Sequence, residues 1–143
     1  KQSLPVYGKG ENIRDWIHVS DHCSAIDSVL EKGDIGETYL IGSQSEKKNI
    51  DIVNMICDYF NDICIDKDNF NYHSLIHFVE DRPGHDFRYA IDNSKIKNKL
   101  GWKPKYSFKN ALSETIEWYI ENKDWYQNIL KRNKMERLGL IKK

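Results

Sequence analysis

The sequence predicts a small mixed α/β lobe that accompanies a larger fold rather than completing one. Three observations carry this expectation. Apolar runs of strand length alternate with amphipathic stretches of helix length, the α/β pattern. The strand-like runs are few and short, and no doubly wound core can be traced through them. The 143 residues suffice for one domain with a core of its own, but not for two ordinary ones. A single domain over residues 1–143 is therefore expected, with 131–143 as a basic, weakly ordered tail.

In chain order, "LPVY" (Leu4 to Tyr7) reads as a short strand, in which Pro5 is tolerable only at a start or an edge. "GKGEN" supplies turn glycines, and "IRDWIHV" (Ile13 to Val19) alternates large apolar with polar residues, as a half-buried strand does. The two strands are expected to form a hairpin. Ser20 or Asp21 then caps a helix with Cys23, Ile26, Val29 and Leu30 on its apolar face and a stop near Gly33. "ETYLIGS" reads as a buried strand leaving through Gly42. A second helix runs from about Asn49 to Phe60, with Ile52, Val53, Ile56, Cys57 and Phe60 on one side. "IHFV" and "RYAI" are two further strands. In "SKIKNKLGWKP" Ile96 and Leu100 lie four apart, Gly101 stands at the stop and Pro104 beyond it, which predicts a short helix. Phe108, Ala111, Leu112, Thr115, Ile116 and Tyr119 trace a long amphipathic helix capped by Ser107. No internal repeat or low-complexity segment interrupts the series.

Charge narrows the function classes. Lys plus Arg equals Asp plus Glu at 22 each, so no global field points to nucleic acid or a membrane, and any anion site must be local. Cys23, Cys57 and Cys64 are an odd number at unremarkable spacing, which fits a reduced, cytoplasmic compartment. No apolar run approaches membrane-spanning length, and "KQSLPVYGKG" is no signal peptide. Strand-like residues follow at once on an N-terminus without Met, as expected of a fragment.

Two stretches gather the residue types that hold anions and rings. "FVEDRPGHDFRYAID" places Arg82, His85, Asp86 and Arg88 within seven residues after a strand, and Gly84 permits an unusual backbone angle there. The Arg82 fork suits phosphate oxygens, and His85 can donate a further bond. The same residues also fit an internal salt-bridge loop, with Arg82 and Arg88 paired to Glu80, Asp81 and Asp86. In "YGKGENIRDW", Tyr7 can stack on a flat ring, worth roughly 1–3 kcal/mol for a base, and Arg14 would share its end of the hairpin. On the residues alone an ordinary Gly-rich turn is the stronger reading. "GKG" is not a dinucleotide fingerprint, since it lacks a third glycine and does not link a strand to a helix. "YIENK" has the Tyr-x-x-x-Lys spacing of nicotinamide-dependent oxidoreductases, but Tyr119 falls on the apolar face of a helix and packing explains it. His18 with His22, and His73 with His77, lack a third ligand nearby, so no zinc site is expected.

Taken together, "LPVYGKGENIRDWIHVSDHCSAI", "GETYLIGSQSEKKNIDIV", "DRPGHDFRYAID" with "SKIKNKLGWKP", and "TIEWY" resemble the C-terminal half of the dTDP-glucose 4,6-dehydratases, which are extended short-chain dehydrogenase/reductases. The likeness runs from about Leu4 to Trp125 in the expected order, and "DRPGHD" points to the dehydratases within that superfamily. The resemblance implies a two-part enzyme. An N-terminal Rossmann half holds NAD, the catalytic Tyr and Lys and a pair of acid/base carboxylates, and a C-terminal lobe binds the nucleotide diphosphate. It implies conversion of dTDP-glucose to the 4-keto-6-deoxy sugar nucleotide with loss of water, in a cytoplasmic homodimer, with the Rossmann half and the nucleotide sugar as partners.

Residue by residue, the resemblance assigns Pro5, Val6 and Tyr7 to the base pocket and Arg14 to the phosphates. Asn49 becomes the Asn at the start of the following helix. Asp81, Arg82, Pro83, Gly84 and His85 become the loop that closes on diphosphate and ribose. The Rossmann fingerprint, the catalytic Tyr and Lys and the acid/base pair have no counterparts here, so these residues alone are expected neither to bind NAD nor to turn over. "NDICIDKDNFNYHSLIHF" carries no assigned function. A stand-alone nucleotide-sugar-binding module and a UDP-sugar epimerase or dehydratase of the same superfamily remain open, because a methyl group on the base is worth only about 1–3 kcal/mol.

Overall fold

The computed structural model describes residues 2–63 and 70–132. The order is β1 (Leu4–Tyr7), β2 (Ile13–Asp15), α1 (Val19–Lys32), β3 (Glu46–Lys48), α2 (Asn49–Ile63), a 3-10 turn (Tyr72–Leu75), β4 (Ile76–Val79), α3 (Ser94–Leu100), α4 (Phe108–Glu121) and α5 (Lys123–Arg132). The mixed α/β expectation holds. The chain gathers into two compact units. The first takes Lys1–Glu11, Ile50–Asp86 and Ser113–Lys143, so far as these are described, and the second takes Asn12–Asn49 and Phe87–Leu112.

In the first unit β1 and β4 run parallel, Leu4 opposite Ile76 and Tyr7 opposite Val79. The Gly8 N–H extends this ladder to the Val79 carbonyl at 2.9 Å. The expected hairpin of β1 with the next strand does not form. Ladder donors alternate along a strand, so Gly8 facing β4 puts Pro5 on the opposite edge, where its missing N–H leaves a second partner short of a bond. The chain instead turns through Gly8 and Gly10, at φ 55° and 69°, and the Gly10 N–H returns to the Tyr7 carbonyl at 2.9 Å. Val6, Ile52, Cys57 and Ile116 are the buried apolar side chains among the described residues of this unit. Burial also pushes the Cys57 thiol pKa up, so this cysteine acts as a small apolar residue.

The amphipathic helix expected from Phe108 to Tyr119 forms as α4, with the Ser107 hydroxyl accepting the Asn110 N–H at 3.3 Å, and the helical path runs on into α5. Asn122 interrupts it, its side-chain amide donating to the Trp118 carbonyl at 2.9 Å while its own carbonyl accepts the Trp125 N–H. Tyr119 does not pack into a core, as the sequence suggested. It is half exposed and meets the rings of Trp118 and Tyr126 at 5.2 and 5.7 Å. Within the basic tail expected over 131–143, α5 extends to Arg132, and residues 133–143 lie outside the described residues, as does Cys64.

In the second unit β2 pairs antiparallel with β3, Ile13 opposite Lys48. The strand expected over Ile13 to Val19 ends at Asp15, and His18 caps α1, its Nδ1 accepting the Ser20 N–H at 3.3 Å. Asp21, one of the two expected caps, is buried and accepts the backbone N–H groups of Lys105 and Tyr106 instead. The core is Ala25, Ile96 and Trp102, with Ile17, Val29, Tyr39, Ile41 and Leu100 against it. The inner face of α1 is thus Asp21, Ala25 and Val29. Ile26 and Leu30 of the predicted face are exposed, Leu30 at 80%. "ETYLIGS" forms no strand among the described residues, and Leu40 is 54% exposed. "RYAI" contributes one bridge, Arg88 beside Ile13, in place of a strand. The bridge is made by the Ile13 N–H on the Phe87 carbonyl and the Tyr89 N–H on the Ile13 carbonyl. α3 ends as expected at Gly101, at φ 69°.

Candidate functional site

The anion-suited loop follows β4 in the first unit, and the β1–β4 ladder brings it beside the Gly8 turn. Asp81 is the organising residue. Its Oδ1 accepts the His85 Nδ1–H at 2.7 Å and the Arg82 backbone N–H at 2.9 Å. Its carboxylate also lies over Gly8, where a Cβ would come within 3.0 Å of Oδ2. The His85 bond, helped by the Arg82 N–H, holds the Asp81 carboxyl below the usual carboxylate range. The His85 side chain is only 6% exposed, and its ring forms a T-shaped pair with that of Tyr7, centres 6.2 Å apart at 79°. Pro83 and Gly84 form the turn between Arg82 and His85, Gly84 at φ 68° with open space around its Cα. The Arg82 Nε is buried and has no hydrogen-bond partner among the described residues. Tyr7, Asp81, Arg82 and His85 are thus brought together, with Pro5 and Val6 on the strand that carries Tyr7.

The salt-bridge loop considered for this stretch does not form as drawn. Asp81 pairs with His85 rather than an arginine, and the Arg88 guanidinium reaches Glu46, with Nε to Oε2 at 2.5 Å and Nη2 to Oε1 at 2.8 Å. That two-point contact keeps the Glu46 carboxyl low as well.

Arg14 and Asn49 belong to the second unit. Tyr7 and Arg14 stand on different sheets, so the shared hairpin end inferred from the sequence does not exist. Arg14 lies on β2, its Nη1 donating to the Ile13 carbonyl at 2.7 Å and its guanidinium carbon 4.5 Å above the centre of the Tyr89 ring. Tyr89 was missed by sequence reading, since "RYAI" looked like strand filler and nothing local ties it to a residue 75 positions earlier. Asn49 opens α2, with its backbone N–H on the Asn12 carbonyl at 3.0 Å.

The Gly8–Gly10 turn does not have the form of a dinucleotide-binding turn. It leads from β1 to β2 rather than into a helix, and a Cβ on Gly10 would meet Val6 and Ile50 at 2.8 and 2.9 Å, so side chains fill that side of the turn. Among the described residues no group of three or more His, Cys, Asp or Glu could hold a metal ion, and no helix is long and apolar enough to cross a membrane.

Comparison with known proteins fixes the family. The family model described as GDP-mannose 4,6 dehydratase matches residues 1–115. The chain belongs to that family. Among relatives of this GDP-mannose 4,6 dehydratase family chain, dTDP-glucose 4,6-dehydratase of Escherichia coli is 50% identical over 141 residues, covering 96% of this chain and 39% of that protein. The crystal structure of dTDP-glucose 4,6-dehydratase from Bacillus anthracis, in complex with NAD, matches with a TM-score of 0.72 at 47% identity, over 87% of this chain and 36% of that one. The enzyme from Streptomyces venezuelae, also solved with NAD, gives a TM-score of 0.77 at 40% identity with the same coverage. The family chain therefore spans well under half the length of the curated relatives it matches. Its fold is that of part of an extended short-chain dehydrogenase/reductase dehydratase.

Proposed function

We propose that this chain is the nucleotide-sugar-binding part of a dTDP-glucose 4,6-dehydratase, which converts dTDP-glucose to dTDP-4-keto-6-deoxyglucose with loss of water in deoxysugar biosynthesis. The observation that carries the reading is the Asp81–His85 loop. A buried Arg82 Nε–H without an acceptor costs about 1–3 kcal/mol, and a phosphate oxygen is the acceptor its charge favours most. His85 bonds the Asp81 carboxylate and packs on the Tyr7 ring, so a donor, a cation and an aromatic ring gather at the C-terminal end of the β1–β4 pair. Pro5, Val6, Pro83 and Gly84 in the same unit, and Arg14 and Asn49 in the second, are the further residues proposed to bind substrate. The 50% identity to a dTDP-glucose 4,6-dehydratase supports dTDP as the nucleotide.

In this reading the lobe supplies affinity and position, not bond-making groups. Energy from gripping the diphosphate is used to hold the distant sugar in place. NAD, with the catalytic Tyr, Lys and acid/base carboxylates, is assigned to a Rossmann half, and residues 1–143 by themselves are inactive. A cytoplasmic homodimer completes the proposal.

The test is calorimetric titration of the natural polypeptide that contains these residues with dTDP and dTDP-glucose, for wild type, Arg82→Ala and Arg82→Lys. Loss of one charge-assisted contact of about 2 kcal/mol weakens binding about thirtyfold, and Lys restores little because it lacks the planar fork. Wild-type affinity in Arg82→Ala, or no dTDP binding by the natural protein, would sink the proposal.

A further inference from the structure

We propose that Tyr89 is a positioning residue for the diphosphate, acting through Arg14; this rests on the reading of Arg14 as a phosphate ligand. The Ile13 carbonyl accepts two donors, the Tyr89 backbone N–H at 3.0 Å and Arg14 Nη1 at 2.7 Å. The ring of the first donor then lies under the guanidinium of the second, 4.5 Å from its carbon. One carbonyl thereby fixes both the base of the ring and an edge of the fork that rests on it.

The ring is held from two sides. The Ile13 N–H reaches the Phe87 carbonyl at 2.7 Å, and Arg88, between Phe87 and Tyr89, is clamped to Glu46 on β3. The segment that carries Tyr89 is therefore tied to both strands of the β2–β3 sheet. Tyr89 is 51% exposed and lies outside the Ala25–Ile96–Trp102 core, so core packing does not account for its ring. An unsupported Arg sweeps through many rotamers, and ordering it on a ligand opposes binding; a ring that fixes the plane of the fork beforehand removes part of that cost.

The variants are Tyr89→Leu, Tyr89→Phe, Arg14→Ala and the double variant Arg14→Ala with Tyr89→Leu, all in the natural polypeptide. Affinity for dTDP is measured by calorimetry, and kcat and KM with dTDP-glucose. Tyr89→Leu is expected to weaken dTDP about three- to tenfold, appearing in KM with kcat held, as expected when uniform binding is lost. Tyr89→Phe keeps the ring face and recovers most of the affinity. The double variant binds no more weakly than Arg14→Ala alone, because the ring has nothing left to position. Three results overturn the proposal: wild-type affinity in Tyr89→Leu, a Phe variant as weak as Leu, or losses that add in full. Wild-type affinity in Arg14→Ala is a separate result, which removes Arg14 from the site and this inference with it.

Discussion

Replacing Asp15 should open the loop that leads into β3, and by an amount the structure sets. Its carboxylate accepts the N–H groups of Ser43, Gln44 and Ser45 at 3.0, 3.2 and 2.8 Å and the Ser43 hydroxyl at 3.0 Å. Within this turn Gln44 is held at φ 59°, a left-handed angle that costs a residue with a side chain about 1–2 kcal/mol. Asp15→Ala removes these carboxylate contacts and leaves the turn with the Ser43 hydroxyl, which accepts the Ser45 N–H at 3.2 Å and donates to the Trp16 carbonyl. Hydrogen bonds to a charged group are worth about 1.5–3 kcal/mol each, but Asp15 is only half buried and water replaces some of them. A local loss of about 2–4 kcal/mol follows. Amide hydrogen exchange in the natural polypeptide reads it directly, since Ser43, Gln44 and Ser45 should exchange roughly 30- to 800-fold faster. Asp15→Asn keeps one acceptor oxygen and should fall between. Exchange within about threefold of wild type in Asp15→Ala would refute the reasoning, because it would mean these bonds do not hold the turn. Arg14 is the next residue on β2, so a loosened β2–β3 pair should also weaken dTDP binding, by less than Arg14→Ala does.

Two further outcomes follow from single residues. The folded-state pKa of Asp81 is depressed, chiefly by His85, so its contribution to the loop is present above the unfolded value near pH 3.9 and is lost as pH falls through the folded value. Asp81→Asn should abolish that acid limb in the exchange of the loop amides and leave the loop less protected at neutral pH. Gly10→Ala and Gly101→Ala separate strain from crowding, since both glycines sit at φ 69° but only Gly10 has neighbours where a Cβ would go. Chemical denaturation should show about 1–2 kcal/mol lost for Gly101→Ala and clearly more for Gly10→Ala; equal losses would remove packing from the argument.

The helices were legible because their signals are local. The stop at Gly33, the left-handed cap at Gly101 and the spacing of Ile52 and Cys57 lie within a few turns of the residues they govern. The strands were less so. A four-residue strand names its faces but not its partner, and Leu4–Tyr7 pairs with residues about seventy positions on rather than with its neighbour. The inner face of α1 was misjudged because apolar residues were assumed to point inward, whereas Ala25 and the hydrogen-bonded Asp21 occupy that side. The Arg82–His85 loop was readable as a density of donors in one bend. Its bond from His85 to Asp81 is local but one of several pairings the loop's charges allow, whereas the partner of Arg88 and the ring under Arg14 depend on where the chain returns, which no local pattern encodes.

The β1–β4 pair also dictates an order of events as the chain folds. Joining two parallel strands about seventy residues apart means closing a long loop before the ladder gives anything back. Much of that loop is the Asn12–Asn49 stretch, which belongs to the other unit and has the contacts of α1 and α3 to mature with. The Gly8 turn, Asp81 and His85 meet only when the ladder closes, so the anion-suited end is among the last parts of the first unit to exist. A ligand that bridges this end would act as a latch on the final closure, slowing unfolding more than it hastens folding.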